Sequence, residues 1–134
     1  LKHNDESLKT VYADDKKAYL KQFIFNICAE NASTQGYVTE KLLESFEAGA
    51  IPIYWGDRNP EPEILNPKRI IFWNDEKVNG ATLDLIKTLY HSEEERQKFY
   101  KEPIFTPQAA KRINEHFSLL RRDLNKLLTV DNNR

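Results

Sequence analysis

Two apolar runs bracket one helical pattern between Gln22 and Trp55, and that arrangement leaves the chain few folds. The first run, "QFIFNICAE" (Gln22–Glu30), carries Phe23, Ile24, Phe25, Ile27 and Cys28. A strand with one wet face alternates strictly. A run like this one predicts a strand buried on both faces, as in parallel sheets. Val38, Leu42, Leu43 and Phe46 then recur at helical spacing, which predicts a helix over about Val38–Ala48 with Gly49 as its stop. "AIPIYWG" predicts a second buried strand, Ile51–Trp55, with Pro52 near its start because proline brings no ladder donor. "RIIFW" (Arg69–Trp73) predicts a third. Strand, helix and strand of this kind form a parallel crossover unit, expected to be right-handed. The expected neighbours are Phe23–Cys28, Ile51–Tyr54 and Ile70–Phe72.

The remainder reads as helix and loop. "DDKKAYLKQF" predicts a short helix, and "DRNPEPEILNPK" a loop with one turn around Glu61–Leu65. "ATLDLIKTLY" puts Leu83, Ile86 and Leu89 or Tyr90 on one face. "SEEERQKFYK" opens with Ser92 and Glu95 at capping-box spacing. In "TPQAAKRINEHFSLLRRDLNKLL", Thr106 is the expected N-cap and Pro107 the first helical residue. Ile113, Phe117, Leu120, Leu124 and Leu127 make one apolar stripe there, expected to pack on its own domain with the charges outward. The rival reading sets Lys111, Arg112, Arg121, Arg122 and Lys126 against Glu115 and Asp123, as a basic amphipathic helix that lies on anionic lipid or a partner. The fold class that follows is α/β: a Rossmann-like parallel sheet flanked by helices, with a helical C-terminus.

At 134 residues there is room for one compact domain. A net charge of -1 argues against a nucleic-acid partner. Cys28 stands alone, so an internal disulfide is excluded, and its apolar surroundings predict a small buried side chain rather than a nucleophile. No apolar run approaches membrane-spanning length. His3, His91 and His116 are scattered and do not suggest a metal site. Neither a phosphate-binding G-x-x-x-x-G-K-S/T loop nor a dinucleotide G-x-G-x-x-G turn occurs. With no methionine anywhere, position 1 included, the chain is expected to be a piece of a longer protein.

The chemistry is expected between the first strand and its helix, since open α/β sheets bind ligands beyond the carboxyl ends of their strands. That segment carries Asn31, Ser33, Thr34, Gln35 and Tyr37 as neutral hydrogen-bonding groups, with Gly36 for a tight turn. A helix N-terminus adds unpaired N–H groups and the positive end of a dipole. Glu40 and Lys41 stand side by side there. Two readings are open: solvated helix-end charges, or a lysine for phosphates beside a glutamate for sugar hydroxyls, as a sugar nucleotide would require.

The blocks "FNICAEN", "YVTEKLLESF", "AIPIYWG" and "NPK", in this order and spacing, resemble the donor-binding domain of the α-1,3/4-fucosyltransferases, family 10 of the glycosyltransferases. The resemblance covers roughly Gln22–Trp73. It departs at Ala29, where the family has an aromatic, and at "DRNPEPEI". It implies the C-terminal half of a two-domain GT-B enzyme that transfers L-fucose from GDP-fucose, with inversion, to N-acetylglucosamine or glucose of a glycan, as in Lewis-antigen synthesis. By motif position it implies donor contacts from Asn31, Tyr37, Glu40 and Lys41, with catalytic weight on Glu40 and Lys41, and no obligatory metal or cofactor. Residues 1–134 would be one donor-binding domain, incomplete at its N-terminus. The acceptor domain and the carboxylate base would lie elsewhere, and the chain alone would be inactive. Glu61 and Glu63 are read as solvated loop acids rather than as that base. A missing first strand would leave a sheet edge open to self-association. The implied setting is cytoplasmic or peripheral membrane in a bacterium, or the Golgi lumen in a eukaryote. A non-catalytic nucleotide-sugar module is the remaining alternative.

Overall fold

The computed structural model describes residues 6–75 and 79–130, so His3 lies outside the described residues. Two short helices, α1 (Ser7–Thr10) and α2 (Lys16–Leu20), precede the first strand, β1 (Phe25–Ala29). Asp15 caps α2 by accepting a hydrogen bond from Ala18 N–H. Then come α3 (Lys41–Ala48), β2 (Ile51–Trp55), a 3₁₀ turn (Pro67–Arg69) and β3 (Ile71–Phe72). Helices α4 (Gly80–His91), α5 (Glu93–Lys101) and α6 (Ala109–Val130) complete the chain.

The sheet runs β1-β2-β3 with both pairings parallel. Cys28 is opposite Tyr54, and Tyr54 opposite Phe72, so these three share one face. That face meets α3 through Leu42 and Phe46, with Leu65 and Ile70 closing the cluster. On the other face Ile51 and Ile71 pack with Leu89 of α4, supported by Ile86, Phe99 and Tyr100. Gly49 ends α3 in the left-handed conformation, φ 79°, that its lack of a side chain permits. Pro52 takes the second position of β2, as expected. Ser92 caps α5 by accepting from Glu95 N–H at 3.2 Å, and Leu89, rather than Tyr90, is the buried member of the α4 face.

Several expectations are corrected. β1 is not buried on both faces: Ile27 is 77% exposed, because α4 and α5 cover the β2–β3 side and stop short of it. Among the described residues β1 pairs with β2 alone, so it forms an edge. Helix α3 starts at Lys41, not Val38, since Val38 packs into the core and Thr39 N–H is held outside the helix. The third strand is two residues long, because Arg69 belongs to the 3₁₀ turn. Its buried guanidinium donates to Phe99 C=O at 3.1 Å and lies over the rings of Phe99 and Tyr100. Helix α6 starts at Ala109, because the Thr106 hydroxyl donates to Glu63 C=O at 2.5 Å instead of capping. The apolar stripe of α6 is not packed on the domain. Ile113 is half-buried, but Phe117 and Leu127 are 67% and 68% exposed, and Leu120 and Leu124 are exposed as well.

Candidate active site at the β1–α3 junction

The loops after β1 and β2 are stitched together at the carboxyl end of the sheet. Glu30 N–H extends the ladder by donating to Trp55 C=O at 2.9 Å. The Ser33 hydroxyl donates to Gly56 C=O at 2.9 Å. Gly36, whose φ of 76° suits glycine, donates its N–H to the buried Asp57 carboxylate at 2.6 Å. The second oxygen of Asp57 accepts from Asn59 N–H at 2.9 Å. A cleft of about 740 Å³ opens between the loops, lined by Ser33, Gln35, Gly36, Asp57, Arg58 and Asp75 among others. It stands where a parallel sheet is expected to bind a ligand.

Beside this cleft the start of α3 is organised around Glu30, a residue that the sequence reading left unassigned. Its side chain has no exposed surface. One carboxylate oxygen accepts from Thr39 N–H at 2.9 Å. The other accepts from the Thr39 hydroxyl at 2.6 Å and from Lys41 Nζ at 2.9 Å. Lys41 Nζ also donates to the Thr39 hydroxyl at 3.0 Å. Burial pushes the Glu30 carboxyl upward, but the bonds from Thr39 and Lys41 outweigh it and hold the group below the usual carboxylate range. The bond to Glu30 holds the Lys41 ammonium above its ordinary value. Thr39 N–H and the Lys41 ammonium thus already share one anionic partner within the chain. Only the position of Glu30, an acid directly after an apolar run, hinted at this.

The expected site residues do not converge on the cleft, whose lining includes none of Asn31, Tyr37, Glu40 and Lys41. Lys41 is 27% exposed at the side chain. Glu40 is exposed, makes no capping bond, and faces a separate apolar groove of about 490 Å³ shared with Leu43, Phe105, Ile113 and His116. Neighbours in sequence, Glu40 and Lys41 therefore look in different directions, as successive helical residues must. Tyr37 is partly exposed, with its N–H turned back to Thr34 C=O at 3.0 Å. Asn31 is exposed in the same loop. Cys28 is fully buried behind Glu30, and burial pushes its thiol up to about 11, which suits packing and not nucleophilic attack. Glu61 is exposed, whereas Glu63 pairs with Arg112 of α6. Among the described residues no group of three or more His, Cys, Asp or Glu side chains is placed to hold a metal ion.

Residues 4–122 match the family model described as glycosyltransferase family 10 (fucosyltransferase), C-terminal part. The chain belongs to glycosyltransferase family 10. Its family 10 relatives include the alpha-(1,3)-fucosyltransferase FucT of Helicobacter pylori, 36% identical over 93 residues that make up 69% of this chain and 19% of that protein. A putative fucosyltransferase, R654, of Acanthamoeba polyphaga mimivirus is 33% identical over 111 residues, 83% of this chain and 17% of that one. Among solved structures, an alpha1,3-fucosyltransferase with GDP and one with GDP-fucose each align with a TM-score of 0.58 at 34% identity, over 66% of this chain and 26% of theirs. The chain thus spans less than a fifth of the length of these two curated relatives. The likeness covers the fold and the family assignment.

Proposed function

We propose that this chain is the GDP-fucose-binding portion of a fucosyltransferase. The observation that carries the reading is the family 10 match over residues 4–122, joined to a cleft at the carboxyl ends of β1 and β2. The neighbouring structures with GDP and GDP-fucose support a nucleotide-sugar donor. In this reading Lys41 and the backbone at the start of α3 meet the diphosphate, and Asn31 and Tyr37 line its approach. Glu40, directed elsewhere, serves ribose or fucose hydroxyls or faces charge developing on the sugar. The enzyme transfers L-fucose with inversion to N-acetylglucosamine or glucose of a glycan in α-1,3/4 linkage. Its acceptor site and carboxylate base come from outside residues 1–134. The reading asks for no divalent metal, because Lys41 and the helix start stabilise the leaving GDP where negative charge accumulates.

Calorimetric titration of the full-length protein with GDP and GDP-fucose, followed by a transfer assay on a panel of acceptor glycans, tests this. Lys41→Ala should weaken both nucleotides and lower kcat, and Glu40→Ala should reduce donor affinity or rate while sparing inorganic pyrophosphate. Changes below about twofold in both the GDP Kd and kcat for Lys41→Ala, under roughly 0.5 kcal/mol, would return the pair to ordinary helix-end charge. A full-length protein that binds GDP-fucose yet transfers to nothing would be the non-catalytic module instead. A second reading, contact of α6 with an anionic membrane surface, is favoured by its exposed stripe beside Arg121, Arg122 and Lys126. Co-sedimentation with phosphatidylserine vesicles tests it. Self-association through the outer edge of β1 is tested by sedimentation velocity across concentration.

A further inference from the structure

We propose that Glu30 is a positioning residue for the donor site: its buried carboxylate holds the Lys41 ammonium at the start of α3 with one N–H left over for a phosphate oxygen. The inference rests on the GDP-fucose reading above.

An ammonium has three donors. Lys41 spends one on Glu30 at 2.9 Å and one on the Thr39 hydroxyl at 3.0 Å. The Thr39 hydroxyl donates its own hydrogen bond to the same Glu30 oxygen, so the three groups close a ring. The other Glu30 oxygen anchors the ring to the backbone through Thr39 N–H. Glu30 itself cannot swing, because it is buried and its chain is fixed by the bond to Trp55 C=O. Lysine is a flexible point charge on a four-carbon stem, and its orientation normally costs rotamer entropy at the moment of binding. Here that cost is met by folding. The third N–H has no partner inside the ring, and the side chain keeps partial access to solvent. This geometry differs from that of a free helix-end lysine. The charge that meets a diphosphate is already paired with Glu30, so Lys41 contributes direction more than net attraction. Oriented donors of this kind act where charge grows in the transition state.

The charged and titratable groups that act on Lys41 are Glu30, directly after β1, and Glu40 and Tyr37, in the segment before α3. Behind Glu30 lie Cys28 of β1 and Tyr54 of β2, the thiol and phenol pushed up to about 11 and about 12 by burial and so neutral across the working range. Lys16 of α2 and Glu44 of α3 pair with each other. Asp57 is engaged by Gly36 and Asn59. Glu30 is therefore the partner whose removal frees Lys41.

The experiment compares wild type with Glu30→Gln in the full-length protein, using GDP-fucose, and follows the Lys41 side-chain titration by NMR. Glu30→Gln is expected to lower kcat by roughly tenfold or more while KM for GDP-fucose changes less than about threefold, and to move the alkaline limb of kcat/KM to lower pH. A folded Glu30→Gln protein with kcat and alkaline limb unchanged overturns the inference. So does a wild-type Lys41 that titrates at or below 10.5, the ordinary lysine value, a measurement that needs no variant to fold. Failure of the wild type to bind or turn over GDP-fucose would instead sink the functional reading, and the NMR titration would still report whether Glu30 holds Lys41.

Discussion

The β1–α3 junction and helix α6 are opposite solutions to the same problem of satisfying side chains. At the junction, three polar groups, Glu30, Thr39 and Lys41, answer one another within 3.0 Å over a core formed by Cys28, Leu42 and Tyr54. In α6, a well-formed helix of 22 residues carries leucines that are exposed and belong to no buried cluster among the described residues. The first region derives its order from tertiary contacts. The second derives its order from propensity, i,i+3 and i,i+4 pairs such as Arg112–Glu115, and anchorage at its first turns. Local order and burial are thus separable in one small domain.

The comparison can be broken most forcefully in the core. Leu42 is 0% exposed, so Leu42→Ala should cost about 3 kcal/mol in urea unfolding, by lost transfer energy plus a cavity. Next comes Thr39→Val, which removes the shared hydroxyl but keeps the backbone bond to Glu30. About 1–2 kcal/mol is expected, read as a lower midpoint at unchanged m-value. A smaller and pH-dependent effect belongs to Glu30. Its folded-state pKa lies below its unfolded value near 4.5, so its contribution is fully present above that value. It is lost as pH falls through the folded pKa, and Glu30→Gln should flatten this acid limb of the stability curve. Lys41 mirrors it: raised above 10.5, it contributes below that value and the contribution is lost as pH rises through the folded pKa. The smallest change should come from α6. Leu124→Ala is expected to stay within about 0.5 kcal/mol of wild type. A loss near that of Leu42→Ala would mean that the stripe is covered in solution.

The parts of this architecture legible in the sequence are those governed by local pattern. The runs at Gln22–Glu30 and Ile51–Trp55 announced strands, and the helix between them with its Gly49 stop announced a parallel crossover. Asn31 and Tyr37, expected by motif position, lie in the loop between β1 and α3, and Glu40 and Lys41 lie at the start of α3. Three features stayed hidden. The Glu30–Lys41 bond joins residues 11 positions apart, and a side chain's direction is not a property of spacing. The exposure of Ile27 depends on which helices reach the β1 side of the sheet, which composition does not encode. Periodicity in α6 defined an apolar face correctly, but it says nothing about what lies opposite that face.

Gly56 gives the junction an unforgiving tolerance. A Cβ built there would stand 2.6 Å from the Tyr54 hydroxyl oxygen and 2.7 Å from Glu30 Cγ, closer than side chains approach. The loop after β2 and the acid at the end of β1 are therefore machined against each other, with one hydrogen atom as clearance. A single methyl at position 56 would press on Glu30 Cγ and so be transmitted to the ammonium of Lys41 that Glu30 holds. In a mutational survey such a position would be mistaken for a site of direct ligand contact, when its error is one of alignment passed along a rigid train of parts.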